Sequence, residues 1–291
     1  MGKVITVMNM KGGVGKTTVT MHLGGIFARY NVGGTYRKVL LIDYDPQFNL
    51  SQAFIPPKKY FELEKQRRTC LLILQDDEVD LNPFDIQVGG NHKPPQVSTL
   101  VHNVYKGKNS RLDIIPSTLD LMYVALGQSD KRTDPLEERF EKFIGQCREE
   151  YDLVFIDCHP AGSILTKSSL QNSDHVIIPV AQQRYAVRGI GLMMRFIEAK
   201  KSGAKGPVPH ILFNLAPRSG QSLDEMQIRG DPKWTHRCMK ATMKKYTAFS
   251  LPQDGDGFVW HSKRSYSNEA CRNLFELTEE LVERMKGNDE T

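Results

Sequence analysis

Chemistry in this sequence begins at Met10-Lys11-Gly12-Gly13-Val14-Gly15-Lys16-Thr17-Thr18, between an apolar run ending at Asn9 and a helix-like segment starting near Lys16. A glycine-rich turn between a strand and a helix gathers backbone N–H groups around phosphate oxygens, and the helix N-terminus adds its partial positive charge. Gly12, Gly13 and Gly15 allow close backbone approach and positive φ where the turn needs it. Lys16 is spaced to reach β- and γ-phosphates, and Thr17 to put its hydroxyl on Mg²⁺. A chance glycine-rich turn rarely carries Gly-Lys-Thr in this strand-to-helix setting.

Two further acidic groups follow apolar runs. After Val39–Ile42 comes Asp43-Tyr44-Asp45-Pro46-Gln47-Phe48-Asn49, and Leu153-Val154-Phe155-Ile156-Asp157 has the Walker B form. Carboxylates at the C-terminal ends of parallel strands sit where α/β sheets place ligands. Asp157 is expected to hold Mg²⁺ through water and to sense the γ-phosphate through the loop that follows. That loop starts Cys158-His159-Pro160. His159 reads either as a general base or as an incidental residue beside an intact phosphate loop, and Cys158 as a packing residue.

The loop departs from the plain G-x-x-x-x-G-K-T pattern, because Met10 stands where the first glycine would be and Lys11 follows it. It resembles the deviant Walker A motif, K-G-G-x-G-K-T, of the ParA/Soj/MinD family of P-loop ATPases, closest to the ParA-type DNA partition ATPases. Asp43 to Asn49 is similar to that family's D-x-D-P-Q-x-N stretch, and Leu112-Asp113-Ile114-Ile115-Pro116-Ser117 and Val176-Ile177-Ile178-Pro179-Val180 look like its strands. The resemblance implies ATP and Mg²⁺ as cofactors and hydrolysis to ADP and phosphate. Lys11, Gly12, Gly13, Val14, Gly15, Lys16, Thr17 and Thr18 would bind the nucleotide, and Lys11, Lys16 and Asp45 would be catalytic. Asp45 would position the attacking water, and Asp43 would support a magnesium shell built on Thr17 and Asp157. By residue type alone Lys11 is a solvated lysine; by resemblance it crosses a dimer interface to the partner's nucleotide, as an arginine finger does. Asn214 matches the asparagine that contacts adenine in relatives, although a strand-end cap explains it equally well. His159 replaces the first of two prolines usual in the family, which puts the stiffness of that loop in question.

These residues need a scaffold, and its pattern is short apolar runs alternating with helical periodicity. Strands are expected at Val4–Met8, Val39–Ile42, Leu112–Pro116, Leu153–Asp157, His175–Val180 and His210–Leu215. Runs apolar throughout suit strands buried on both faces. Stripes at Leu136, Phe140, Phe143, Ile144, Cys147 and at Val187, Ile190, Met193, Met194, Ile197 predict covering helices. The expected fold is a doubly wound, mostly parallel α/β sheet of P-loop NTPase type, one domain over 1–291. Two regions interrupt it: a polar excursion at about 56–108, read as a helical excursion around Glu62–Leu74 and then a long surface loop, and a basic region at about 200–272.

Hydrophobic residues at 40% and charged residues at 25% are ordinary for a globular chain. No apolar run approaches the roughly 20 residues that span a bilayer, and the first strand-like run leaves no room for a signal peptide, so a cytoplasmic location is expected. Five scattered cysteines lack metal-ligand spacing.

From Lys200 to Arg272 there are thirteen basic and six acidic residues, a surplus of +7 against +5 for the whole chain. A helix is expected from Lys233 to Tyr246, carrying Lys233, Arg237, Lys240 and Lys244 as one single-signed stripe. With Arg218, Lys263 and Arg264 this forms an expected footprint for the DNA backbone, without base readout. The resemblance adds a homodimer in the ATP state, non-specific DNA and a ParB-like DNA-site-binding partner that stimulates hydrolysis, since no helix-turn-helix precedes the loop. A MinD-like membrane positioner is one alternative. It is disfavoured because the last helix sets Leu274, Leu277, Leu281 and Met285 against a polar side of Glu276, Glu279, Glu280 and Glu283, which anionic lipid repels. A P-loop synthetase acting on a small molecule is another, and no substrate-pocket motif supports it.

Overall fold

Apolar, β-branched runs become strands in the computed structural model, which describes residues 1–75, 93–126, 134–159, 163–181, 186–199, 206–254 and 258–287. The strands are β1 (Lys3–Val7), β2 (Lys38–Tyr44), β3 (His102–Lys106), β4 (Arg111–Ile115), β5 (Leu153–Cys158), β6 (His175–Ala181), β7 (Val208–Ala216) and β8 (Met243–Lys244). They form one sheet in the order β3-β4-β2-β5-β1-β6-β7-β8. Every neighbouring pair is parallel except β3 with β4. All six expected strands are present.

The helices are α1 (Lys16–Tyr30), α2 (Asn49–Phe54), α3 (Pro57–Lys65), α4 (Leu71–Leu74), α5 (Val97–Leu100), α6 (Leu121–Leu126), α7 (Asp134–Glu150), α8 (Ile164–Gln171), α9 (Ala186–Ala199), α10 (Leu223–Gly230) and α11 (Ser267–Gly287). Alternate residues of each buried strand face opposite cores. Val4, Leu40, Ile42, Val154 and Ile156 pack with α7, α8 and α9 on one side. Ile5, Val7, Leu41 and Phe155 pack with α1 and α11 on the other. Leu136, Phe140, Phe143, Ile144 and Cys147 are buried on α7, as are Ile190, Met193, Met194 and Ile197 on α9. The Val187 side chain and Lys200, Lys201 and Lys205 lie outside the described residues. Among the described residues, no helix is long and apolar enough to cross a membrane.

Two expectations are corrected. The excursion is helical where expected, but it is not surface loop through to Lys108. It forms α3 and α4, separated by a turn in which Arg67 takes φ 55, and its described end, 93–108, builds α5 and the edge strand β3. Residues 76–92 lie outside the described residues. β3 was hidden because an antiparallel edge strand keeps polar residues, here His102, Asn103 and Lys106.

The Lys233–Tyr246 segment is likewise not a helix. It has a 3₁₀ turn at Thr235–Arg237 and then runs along the edge of β7 as β8. Met239 N donates to Ile211 O at 2.9 Å and Lys245 N to Ala216 O at 2.8 Å, while Met243 lies opposite Asn214. The open backbone groups of β7 outcompete helical spacing, and α11 satisfies the other side of the segment. Glu280 accepts from the backbone N–H of Lys240 and of Ala241, both at 2.7 Å, and Asn273 Oδ1 accepts from Lys244 N at 2.9 Å.

Candidate nucleotide site

The register of three central strands assembles the site. Val7 of β1 and Asp43 of β2 both lie opposite Asp157 of β5, so the phosphate loop and both carboxylates emerge at one edge. That edge is the C-terminal end of a parallel sheet, where ligands bind.

The loop is pinned before α1 begins. Asn9 donates to Pro179 O at 2.7 Å and accepts from the Lys11 backbone N–H at 3.0 Å. Gly13 takes φ 72, and Gly15, at φ 82 and ψ 33, turns the chain into the helix. Both are left-handed conformations that favour glycine. Gly12 is exposed and Val14 buried, Lys16 is buried to 9% exposure, Thr17 and Thr18 are half-buried, and Lys11 is exposed. The positive charge of Lys16 acts on both Asp45 and Asp157.

The three aspartates differ sharply. Burial pushes the Asp157 carboxyl up to about 7, although the Thr17 hydroxyl and the Lys16 ammonium draw it back. Its Oδ1 lies 3.5 Å from Thr20 Oγ1, and its buried Oδ2 has no hydrogen-bond partner among the described residues. A buried carboxylate oxygen left open beside a threonine hydroxyl fits a hard cation that takes oxygen ligands and phosphate. Asp43 is raised well above the usual carboxylate range by burial and by the Asp157 charge. Its Oδ2 accepts from Ser51 N at 2.8 Å and Ser51 Oγ at 2.6 Å, while Ser51 Oγ accepts from Ser117 N at 2.9 Å. Asp43 thereby braces the loop after β2 against α2 and β4.

Asp45 is the low one. Burial alone would raise it, but hydrogen bonds from His159 and from the Gln47 backbone, with the Lys16 charge, bring it below the ordinary value. His159 Nδ1 lies 3.0 Å from Asp45 Oδ1, and Gln47 N donates to the same oxygen at 3.0 Å.

Asn214, at the end of β7, donates to Val14 O at 2.7 Å and accepts from Leu215 N at 2.8 Å. It is tied to the phosphate loop itself, with one N–H and one lone pair left over. Sequence reasoning missed the loop anchors Asn9 and Ser51, which belong to no motif. The turn from β2 into α2 brings Ser51 back to Asp43, and the strand register brings Asn9 to β6.

The comparisons bear on this arrangement. Residues 2–206 match the AAA domain family. Sporulation initiation inhibitor protein Soj of Bacillus subtilis is 31% identical over 197 residues, 68% of this chain and 65% of Soj. The chain belongs to the ParA/Soj/MinD family. It spans less than two thirds of the length of that relative. A plasmid partition protein from Borrelia burgdorferi bound to AMPPNP shares the family fold with a TM-score of 0.69 at 22% identity, covering 95% of this chain and 98% of the other. Cobyrinic acid a,c-diamide synthase from Mycobacterium smegmatis, with bound ADP and magnesium, gives 0.68 at 19% identity over 99% and 97%. At these identities the likeness establishes the fold alone. Partition proteins and a synthetase share it, so the ParA/Soj/MinD assignment rests on the sequence matches.

The basic residues outside the ParA/Soj/MinD motifs separate into two groups. Arg218 is exposed with its guanidinium 4.3 Å from the Tyr266 ring centre, next to exposed Lys263 and Arg264 in sequence. Lys244 pairs with Ala216, at the site end of the sheet. Arg237 precedes Cys238, which bridges to Ile211, five residues or roughly 16 Å down the strand. Lys233 lies earlier still, and exposed Lys240 falls between the groups. The fold therefore does not build the single expected stripe.

Proposed function

We propose that the protein is a ParA-like ATPase of the cytoplasm. Two copies close on MgATP, Lys11 of each reaching the other's nucleotide, and this dimer holds DNA non-specifically. Hydrolysis to ADP and phosphate releases it, and the cycle moves or positions plasmid or chromosomal DNA with a ParB-like partner. The observation that carries the reading is the strand register that sets the phosphate loop beside Asp43 and Asp157, with an exposed Lys11 on a pinned loop. Asp157 Oδ2 and the Thr17 hydroxyl would hold Mg²⁺, which neutralises charge on the phosphate oxygens. The backbone N–H groups of Gly12 to Thr18 would cradle the phosphates. Asp45 would order the attacking water, and Asp43 would support the metal shell through the loop it braces. Asn214 would contact adenine through the N–H and lone pair that its bonds to Val14 and Leu215 leave over.

A membrane role has less support, because Leu274, Leu277, Leu281 and Met285 of α11 are buried against the body of the protein. The test is oligomeric state with and without MgATP. Asp45→Ala is expected to accumulate a nucleotide-bound dimer, and a variant that stays monomeric at saturating MgATP would count against the reading.

A further inference from the structure

We propose that His159 is a positioning residue that holds Asp45 Oδ1 through its Nδ1–H, fastening the loop after β2 to the end of β5 and leaving Oδ2 to order the attacking water. This rests on the ATP-hydrolysis reading above.

The bond joins residues 114 apart in sequence at 3.0 Å. The side chains are only 15% and 13% exposed, so water competes weakly for it. An ionised carboxylate can only accept, so Nδ1 is the donor. Both the Nδ1–H tautomer and the imidazolium meet that need, and no change of charge on the ring is required. Gln47 N donates to the same oxygen at 3.0 Å. Two donors on Oδ1 fix the carboxylate's rotamer and make it a weak base, which suits orienting water better than removing a proton.

The backbone that carries the ring is itself held. His159 N donates to Tyr44 O at 3.3 Å, extending the β2–β5 ladder by one step, and the Thr166 hydroxyl donates to His159 O at 3.4 Å. A proline at 159 has neither the backbone N–H nor a ring donor, so it could make neither the bond to Tyr44 nor the bond to Asp45. The link runs between the ends of the two strands that carry Asp43 and Asp157: His159 is two residues beyond Asp157, and Asp45 two beyond Asp43. A shift of the end of β5 on nucleotide binding would thus be transmitted to Asp45 through one hydrogen bond.

The experiment compares steady-state ATP hydrolysis and binding of a fluorescent ATP analogue across wild type, His159→Phe, His159→Pro, His159→Asn and Lys16→Ala, each checked by thermal melting. His159→Phe fills the ring's space without a donor, and the asparagine amide places a donor near the Nδ1 position. Phe and Pro are expected to lose about 10- to 100-fold in kcat, with KM and Kd for nucleotide within about twofold, and Asn to restore kcat to within about threefold of wild type. In an Asp45→Ala background, His159→Phe should cause no further loss. Wild-type kcat in His159→Phe, or His159→Asn as slow as His159→Phe, overturns the assignment while the ATPase reading stands. Wild-type hydrolysis no faster than Lys16→Ala overturns both.

Discussion

The side-chain nitrogen of Asn214 occupies the place a β-carbon on Gly15 would have to take, 2.7 Å from the Val14 carbonyl it binds. One residue at the end of β7 thus closes the phosphate loop from outside. Gly15→Ala meets two obstacles, the positive φ of 82 and the Asn214 amide. The strain is about 1–3 kcal/mol, and the loop rather than the core would yield. Nucleotide affinity should fall about 10- to 100-fold with a small change in Tm. Titration with a fluorescent ATP analogue checks this, and unchanged affinity would refute the coupling of β7 to the loop.

The sheet was legible because its central strands are buried on both faces and read as unbroken apolar runs. The site was legible for a related reason: Lys11 to Thr18, Asp45 and Asp157 each stand at the end of such a run, where parallel register must gather them. The edges were not legible. β3 is half polar, and β8 forms because β7 offers unpaired backbone groups, which no periodicity of Lys233 to Tyr246 encodes. The His159–Asp45 bond was equally invisible, because it depends on adjacent strands β2 and β5 ending level.

Asp157 predicts a pH-dependent gain from neutralising it. In the metal-free protein its carboxyl sits at about 7, above its unfolded value, so the folded state binds the extra proton between roughly pH 4 and 7. The sign follows: stability falls as pH rises through that window, and the full penalty stands above 7. Asp157→Asn should therefore melt close to wild type near pH 4. Above pH 7 it should melt higher, the gain being on the order of a few kcal/mol. Adding Mg²⁺ with ATP should stabilise wild type and leave the variant nearly unmoved. A melting difference that is flat with pH would show that burial does not control this carboxyl.

Glu280 tests what holds β8 in place. Its carboxylate accepts from Lys240 N and Ala241 N and from Arg284 Nε at 2.8 Å. Glu280→Ala removes the acceptor for two backbone donors and should cost about 1–3 kcal/mol. Hydrogen exchange should quicken at Met239 to Lys245 while β1 and β5 stay protected. Uniform loosening of the sheet would contradict a local role.

The separation of the basic residues makes the DNA reading sharper than a general charge effect. Arg218, Lys244, Lys263 and Arg264 belong to the site end of the sheet, where a nucleotide-dependent dimer would present them together. Lys233 and Arg237 lie toward the opposite end of β7, and Arg237 is partly occupied, its Nε donating to His236 Nε2 at 3.1 Å. Phosphate contacts add roughly one unit of salt slope each, so charge reversal at true contacts changes the slope as well as the affinity. Arg218→Glu with Lys263→Glu should lower ATP-dependent DNA affinity at least about tenfold and flatten its dependence on salt. Lys233→Glu with Arg237→Glu should do markedly less. The measurement is a DNA titration at several salt concentrations with ATP, ADP and no nucleotide. Equal losses from the two pairs would mean that net charge alone, and not the site end of the sheet, carries DNA.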